Sequence, residues 1–158
     1  MQTFLENEFG TAQAKGEEMG KVVVEVELIS SDDEAKCAEG TLRPDQVRRL
    51  KMPLLVDTGC TLLSIPKVEI DRLGLRVVKE VQSRFANGQS AMRKIYGPVV
   101  IKLQGRVDIV LAMEGHPGMP GLLGQIPLEG LDLMVDSKRQ RLVPGHPDFP
   151  DVQLVEVY

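Results

Sequence analysis

The residue in this sequence best placed to do chemistry is Asp57, which lies inside the apolar stretch "LLVDTGCTLLSIP". Burying a carboxylate is costly unless it is hydrogen-bonded, paired with a charge or shifted to its neutral form. An aspartate in such a stretch therefore either caps a turn or takes part in a reaction. Carboxyl groups that exchange protons with water and substrate serve as general acids and bases. Asp57 is therefore the first candidate catalytic residue.

The other polar residues offer less chemistry. His116 and His146 both lie in segments rich in Gly and Pro, and no compact set of ligands has the spacing of a zinc site. Asp132 and Asp136 flank the apolar "LMV", where we expect them to serve turns. The segment "GHPGMPG" lacks the Lys-Ser/Thr ending of a phosphate-binding loop. We therefore expect no metal and no organic cofactor.

Cys60 follows Asp57 closely, and two interpretations of it are open. A free cysteine commonly packs as a small apolar residue. Alternatively, oxidation or alkylation of its thiol would block a site at Asp57. The other cysteine, Cys37, lies in a very different setting, so we predict no disulfide.

Short strands and turns are predicted around Asp57. The alternation in "VRRLKMPLLV" indicates a strand that ends there, and Pro53 within it indicates an edge or a bulge. Pro66 and Gly74 bound a predicted short helix. After this helix, "VQSRFANGQSAMRK" predicts a hairpin with a tight primed turn at Asn-Gly, and "VVIKLQGRVDIVLAM" predicts a second hairpin.

The rest of the chain predicts a mainly β fold. The segment "KVVVEVELI" is typical of a strand, "SSDDEAKCAEGTLRPDQ" of a loop that can hold a helical turn, and "QIPLEGLDLMV" of a short helix followed by a strand. We expect an N-terminal extension at 1–20, one domain at 21–143, and a C-terminal tail at 144–158 with a last strand in "VQLVEVY". Many short strands separated by turns predict a barrel or a sandwich.

Charge and composition exclude several classes of function. The net charge of −4 disfavours nucleic-acid binding, which needs a basic surface. The sequence has no run of about 18 apolar residues that would predict a membrane span. The opening "MQTFLENEFG" is acidic and lacks the basic and apolar segments of a secretory signal. We therefore expect a cytoplasmic protein that binds neither nucleic acid nor membrane.

The order of features around Asp57 resembles that of the retropepsin-like aspartic peptidases, especially the small prokaryotic members with a single motif. The resemblance rests on Leu-Leu-Val before Asp-Thr-Gly, on the hairpins that follow, and on a Leu-Leu-Gly segment before a helix. It covers about 21–143. It implies a closed, barrel-like acid-protease fold with one or two short helices, assembled as a homodimer in which the C-terminal tail, 144–158, can form a strand of the interface.

The resemblance also implies a role for each residue of the site. Asp57 is the implied catalytic residue, and the rest of the active-site loop is Thr58, Gly59 and Cys60, of which Thr58 would hydrogen-bond across the dimer axis. The tip of the first hairpin is an implied flap that closes over a bound peptide, formed by Phe85, Ala86, Asn87, Gly88, Gln89 and Ser90. The implied support behind the loop is Leu122, Leu123 and Gly124.

The single Asp-Thr-Gly motif decides the expected assembly. Peptide hydrolysis of this kind needs two carboxylates that share a proton, one a base toward water and the other an acid toward the substrate carbonyl. With one motif in the chain, the second carboxylate has to come from another subunit. We expect a homodimeric aspartic endopeptidase that cuts extended polypeptides. Two alternatives stay open: a homodimeric module that binds peptides with little or no cleavage, and an ordinary Asp-Thr-Gly turn.

Overall fold

The computed structural model describes residues 21–157, and strands dominate this part of the chain. The elements in chain order are β1 (Val23–Ser30), α1 (Ser31–Ala38), a 3-10 turn (Pro44–Gln46), β2 (Arg49–Val56), β3 (Leu63–Ile65), α2 (Lys67–Arg72), β4 (Arg76–Arg84), β5 (Ser90–Leu103), β6 (Arg106–Glu114), β7 (Leu122–Leu123), α3 (Gln125–Gly130), β8 (Leu133–Asp136) and β9 (Arg141–Pro144). The prediction of a mainly β chain is confirmed. The predicted N-terminal extension, 1–20, lies outside the described residues.

Seven strands form one mixed sheet in the order β1-β2-β7-β3-β6-β5-β4, and β1 pairs with β5 as well. Most neighbours are antiparallel, but β7 runs parallel to β2, and β3 runs parallel to β6. Strands β8 and β9 form a separate antiparallel hairpin. Because β1 pairs with both β2 and β5, the strand that leads to Asp57 and the strand that carries the long hairpin are fixed to the same neighbour.

One aliphatic core lies against the large sheet. Fully buried side chains from three strands around Asp57 contribute to it: Leu54 on β2, Leu63 on β3 and Leu123 on β7. Burying such a side chain stabilises the fold by about 1.5–3 kcal/mol. The strands that enter and leave the candidate site are therefore anchored in the core on their inner side.

The predicted helix between Pro66 and Gly74 is confirmed as α2. Pro66 is its N-cap, and Gly74, with a φ of 62°, lies just beyond its C-cap. Pro53 lies at an unpaired edge of the sheet, as predicted from its missing N–H. On the side of β2 away from β1, strand β7 pairs only with Leu55 and Val56, so no strand faces Pro53 there.

Helix α1 is longer than the predicted helical turn. Ser30 caps it by accepting a hydrogen bond from Asp33 N at 3.2 Å. Three acidic residues in its first turn, Asp32, Asp33 and Glu34, complement the positive end of the helix. Capping chemistry rather than apolar periodicity therefore specifies this helix.

Both predicted hairpins are present, but the turn of the first one is of a different type. Gly88 N donates to Phe85 O at 2.9 Å, and Phe85 N donates to Gln89 O at 2.7 Å. Only Gly88 has a positive φ in this turn, 86°, which is the pattern of a type I turn followed by a glycine bulge. The prediction of a primed turn at Asn-Gly was wrong. A primed turn occurs instead in the second hairpin, where Gln104 and Gly105 have φ values of 52° and 78°.

The C-terminal part differs from the prediction. Strand β8 is confirmed, but β9 was not predicted, and it crosses the expected boundary between 143 and 144. Within the described residues no strand follows Pro144, so the strand predicted in "VQLVEVY" is not found in 152–157. Side chains hold the tail instead: Leu154 N donates to Asp132 Oδ2, and Arg106 Nη2 donates to Pro150 O. Pairing of the tail across a dimer stays a prediction.

Candidate active site

Asp57 is the first residue after β2, where the chain leaves the core. Its backbone N donates to Leu123 O on β7 at 2.9 Å. Its side chain is half-buried, and Oδ1 accepts a hydrogen bond from Gly59 N at 2.9 Å. Within residues 21–157 no other group donates to this carboxylate. Its second oxygen is therefore available to a water molecule, a substrate or another carboxyl group.

The loop after Asp57 turns back tightly. Cys60 N donates to Asp57 O at 3.0 Å, while Thr58 and Gly59 lie exposed at the tip. A Cβ atom on Gly59 would lie 3.2 Å from Asp57 Oδ1, so a side chain there would crowd the carboxylate. An ordinary aspartate turn also makes the Gly59-to-Asp57 hydrogen bond. The case for chemistry at Asp57 therefore depends on what surrounds the turn.

The segment 122–124 and the start of α3 lie directly behind the loop. Gln125 N donates to Cys60 O at 2.8 Å. A Cβ atom on Gly124 would lie 2.4 Å from Leu62 O and 2.6 Å from Cys60 O. Backbone therefore packs on backbone here, and only glycine leaves room for it. The structure brings this segment together with Asp57 and its loop, which are distant in sequence.

Cys60 lies under the loop as a free, half-buried thiol. Its Sγ donates to Leu62 O at 3.4 Å. Burial raises the pKa of this thiol, and the nearby charge of Asp57 raises it further. A thiol with a raised pKa forms less of the reactive thiolate. The surroundings of Cys60 therefore favour the packing interpretation over the reactive one.

The hairpin of β4 and β5 carries the residues predicted to form a flap. Residues 86–90 at its tip are exposed, whereas Phe85 is half-buried. The Phe85 ring lies 6.3 Å from the ring of His116, at an interplanar angle of 48°. Arg93 Nη2 also donates to Glu114 O. These contacts connect the hairpin to the end of β6 and to the loop after it.

An open, mostly apolar groove of about 920 Å³ lies near the end of β2, and none of the described residues that line it belongs to the loop 57–60. Its lining residues are Lys21, Val23, Leu55, Gly118, Met119, Pro120 and Gln140. Leu55, two residues before Asp57, is the lining residue nearest to Asp57 in the chain. The sequence did not identify Val23, Met119 or Pro120 as site residues. They belong to no motif, and only the pairing of β1 with β2 and of β2 with β7 brings them together.

Residues 21–157 contain neither a cluster of metal ligands nor a helix that could span a membrane. No group of three or more His, Cys, Asp or Glu side chains in this range could hold a metal ion. None of the helices in this range is both long enough and apolar enough to cross a membrane.

A second aspartate, Asp132, lies in a very different environment. It is 6% exposed, and its carboxylate accepts hydrogen bonds from Leu154 N at 3.0 Å and from Arg106 Nη1 at 3.3 Å. His146 Nδ1 lies 2.7 Å from its other oxygen. Burial by itself would raise the pKa of Asp132, but these hydrogen bonds outweigh burial and lower it. This carboxylate fastens the C-terminal tail to the turn between α3 and β8.

Comparison with known proteins finds likeness to solved structures. No protein-family model matches the chain, and no curated protein matches it in sequence. The solution structure of Simian Foamy Virus (mac) protease is similar, with a TM-score of 0.44 and 18% identity, over 69% of this chain and 93% of that chain. A likeness of this degree carries no argument about function, which has to rest on the geometry of the site.

Proposed function

We propose that this chain is an aspartic endopeptidase that hydrolyses extended polypeptides with a pair of Asp57 carboxylates from two subunits. One observation carries the proposal: a half-exposed carboxylate, held by a single amide hydrogen bond, lies on a loop braced from behind by the backbone of β7 and Gly124. A carboxylate used only to cap a turn needs no such bracing. Catalysis does, because small displacements of a reacting group reduce the rate strongly.

The proposed reaction uses the free oxygen of each Asp57. One ionised carboxylate removes a proton from a water molecule, which attacks the peptide carbonyl carbon, and the protonated partner donates its proton to the carbonyl oxygen. The C–N bond of the resulting diol then breaks: the first carboxyl group gives its proton to the leaving nitrogen, which departs as an amine, and a diol hydroxyl returns a proton to the second carboxylate. Gly59 N keeps Oδ1 oriented. Thr58 is exposed at the tip of the loop and, in the proposed dimer, would bond with the partner loop.

The groove supports an extended peptide as substrate. Its apolar walls, formed by Val23, Leu55 and Met119, would bind apolar side chains of the peptide. The hairpin tip at 85–90 would close over the peptide and exclude water. For this closure the contact of Phe85 with His116 has to rearrange.

The first test is cleavage of a diverse peptide library, read by mass spectrometry from acidic to neutral pH. We expect products from the wild type, with a maximum at mildly acidic pH, and none from Asp57→Asn. Asp108→Asn is a matched control, because Asp108 is also half-buried but lies on β6, outside the loop. Loss of cleavage in both variants, or a maximum above pH 8, would contradict the proposal.

Mixing subunits tests the origin of the second carboxylate. When wild type and Asp57→Asn chains are mixed at equal amounts and allowed to exchange, a dyad shared between subunits leaves about a quarter of the dimers active. A site complete within one chain leaves half of the activity. The measured fraction therefore distinguishes a shared dyad from a monomeric mechanism.

A peptide-binding module is the second candidate. The walls of the groove form without any contribution from Asp57, and this observation favours binding that does not depend on cleavage. Under this alternative, wild type and Asp57→Asn bind the same peptides with similar affinity, and neither cuts them.

A further inference from the structure

Strand β4 (Arg76–Arg84) lies at the free edge of the seven-stranded sheet. Among the described strands it pairs only with β5, so no strand meets the backbone groups on its other side. Seven of its nine residues are exposed, and none is buried. An open edge of this length is a template on which another extended chain can add a strand.

The turn of the hairpin shows which backbone groups of β4 face outward. Phe85 N donates across the turn to Gln89 O at 2.7 Å. Successive residues of a strand direct their N–H and C=O groups to alternate sides. The register shift of β4 lies closer to its start, so nothing interrupts this alternation near the turn. Arg84, Gln82 and Glu80 therefore direct their N–H and C=O groups away from β5.

The hairpin is basic, although the whole chain is acidic. Residues 76–96 contain five basic residues and one acidic residue, Glu80, in a chain with a net charge of −4. Glu80 lies opposite Lys94 in the register of β4 and β5. Arg76 is paired with Asp32 at 2.8 Å. The single acid of the hairpin therefore leaves most of its positive charge uncompensated.

Two cations of β4 have no counterion among residues 21–157. Lys79 and Arg84 are both exposed, and neither forms an ion pair with a described residue. Because five positions separate them, their side chains lie on opposite faces of the strand. A chain paired with β4 could place one acidic residue beside each cation if these acids were also five positions apart. The same charges repel a second copy of this edge.

We propose that the free edge of β4 binds an extended acidic polypeptide segment, which pairs with the outward backbone groups of Glu80, Gln82 and Arg84. Acidic side chains of the segment would lie next to Lys79 and Arg84. The backbone hydrogen bonds supply affinity, and the two opposite charges fix the register. This surface does not include the loop at Asp57, so the proposal goes beyond the proposed function and does not depend on cleavage.

An NMR titration of the full chain tests the proposal, with Asp57→Asn so that no peptide is cut. The probe is a ten-residue peptide of alternating threonine and valine in which two glutamates stand five positions apart. We expect saturable shifts of the amide signals of Glu80, Gln82 and Arg84, and severalfold slower hydrogen exchange there. The same peptide with lysines in place of the glutamates should bind at least tenfold more weakly. Equal binding of the two peptides, or shifts confined to other parts of the chain, would overturn the proposal.

Two pairs of charge reversals with the same change in net charge provide a matched comparison. Lys79→Glu with Arg84→Glu should weaken binding of the acidic peptide at least tenfold. Lys51→Glu with Lys138→Glu reverses two exposed charges on β2 and in the turn between β8 and β9, and should change the affinity less than twofold. An equal loss in both pairs would show that net charge alone attracts the peptide, and strand addition at β4 would then be wrong.

A proline on the free edge tests the backbone hydrogen bonds. Gln82→Pro removes an outward N–H and keeps the donors that face β5, and edge strands tolerate such a proline. We expect at least a tenfold loss of affinity with an unchanged circular dichroism spectrum. Glu80→Pro takes its place if Gln82→Pro fails to fold. Unchanged binding by a folded proline variant would contradict strand addition.

Sedimentation without peptide tests whether a second copy occupies the edge instead. We expect that Lys79→Glu combined with Arg84→Glu leaves the oligomeric state unchanged. A larger species that this double variant or Gln82→Pro removes would assign the edge to self-association and overturn the proposal. Because every variant carries Asp57→Asn, failure of this proposal leaves the proposed peptidase function untouched, and the reverse also holds.

Discussion

Asp57 follows the apolar Leu-Leu-Val and Asp132 precedes the apolar Leu-Met-Val, yet the carboxylates of these two aspartates have opposite environments in the fold. Asp132 is buried and receives hydrogen bonds from Leu154 and Arg106, with His146 at 2.7 Å. Asp57 is half-exposed, and one amide of its own loop bonds to it. The first carboxylate has its bonding capacity filled by its own chain, whereas the second has capacity left for another molecule.

The difference also lies in what surrounds each aspartate. Asp132 is the centre of its cluster, and the tail is held by binding to it. The Asp57 loop is held instead by backbone groups behind it, at Leu123, Gly124 and Gln125, and its carboxylate contributes little to that packing. Removing Asp132 should therefore affect folding, and removing Asp57 should affect function.

Alanine substitutions give the largest predicted effect on stability. Asp132→Ala leaves Arg106 buried without its carboxylate, and we expect it to lower the free energy of unfolding by about 3–5 kcal/mol. Asp57→Ala removes a half-exposed group with one hydrogen bond, and we expect a loss of about 1 kcal/mol or less. Urea unfolding followed by circular dichroism measures both. Equal losses in the two variants would break the comparison.

A glycine substitution tests whether backbone packing holds the Asp57 loop. Gly124→Ala brings a Cβ atom against Leu62 O and Cys60 O, and we expect it to cost about 3 kcal/mol of stability and most of the cleavage activity. Gly40→Ala is the control, because Gly40 lies after α1, outside the proposed site, nothing lies within 4 Å of the added atom there, and only its positive φ costs about 1 kcal/mol. If Gly124→Ala is as stable and active as the control, the loop does not depend on this contact.

Asp33 is another carboxylate whose hydrogen bonds are made within the chain, and its contribution to stability should depend on acidic pH. Arg48 Nε and Nη2 donate to its buried carboxylate at 2.8 and 3.0 Å, and these bonds lower the pKa of Asp33 to about 2. Its stabilising contribution is present above the unfolded pKa near 3.8 and is lost as the pH falls through about 2. Because Arg48 is half-exposed, we expect about 1–2 kcal/mol.

Urea unfolding between pH 2 and 5 measures this contribution. Asp33→Asn should be less stable than the wild type at pH 5, and the two stability curves should converge toward pH 2. Curves that stay parallel over this range would show that the hydrogen bonds from Arg48 contribute no pH-dependent stability.

The smallest predicted effect concerns His146 and the tail. The hydrogen bond with Asp132 raises the pKa of His146, and Glu156 raises it further. Its contribution is therefore complete below its unfolded pKa near 6.5 and is lost as the pH rises through its higher folded pKa. The protection factor for hydrogen exchange of the Leu154 amide, which bonds to Asp132, should fall over this rise in the wild type, beyond the intrinsic increase of the exchange rate with pH. His146→Gln should remove the pH-dependent part, and His116→Gln, which also loses an imidazole, should retain it.

The sequence determined the local elements, because their signals come from neighbouring residues. Alternation of apolar residues predicted β1, β2 and the hairpins, and Pro66 with Gly74 predicted α2. It also singled out Asp57 and the segment 122–124. It predicted only a helical turn where α1 forms, because the signal of this helix is a cap rather than a period, and it missed β9, whose pairing with β8 depends on tertiary packing. The sequence also did not predict the type of turn in the first hairpin, because Asn-Gly fits more than one type of turn.

Only the tertiary structure determined which carboxylates have their hydrogen bonds satisfied within the chain and which remain available to another molecule. Asp132 and Asp136 both follow apolar residues, and the residues next to Asp132 give no sign that the C-terminal tail binds its carboxylate through Leu154 N. The groove likewise needs Val23, Leu55 and Met119, which come together through strand pairing between distant segments. Local sequence fixes backbone geometry because its forces act over a few residues. The hydrogen bonds to a carboxylate and the walls of a groove are formed by groups that are far apart in the chain. These groups come together only when the chain folds.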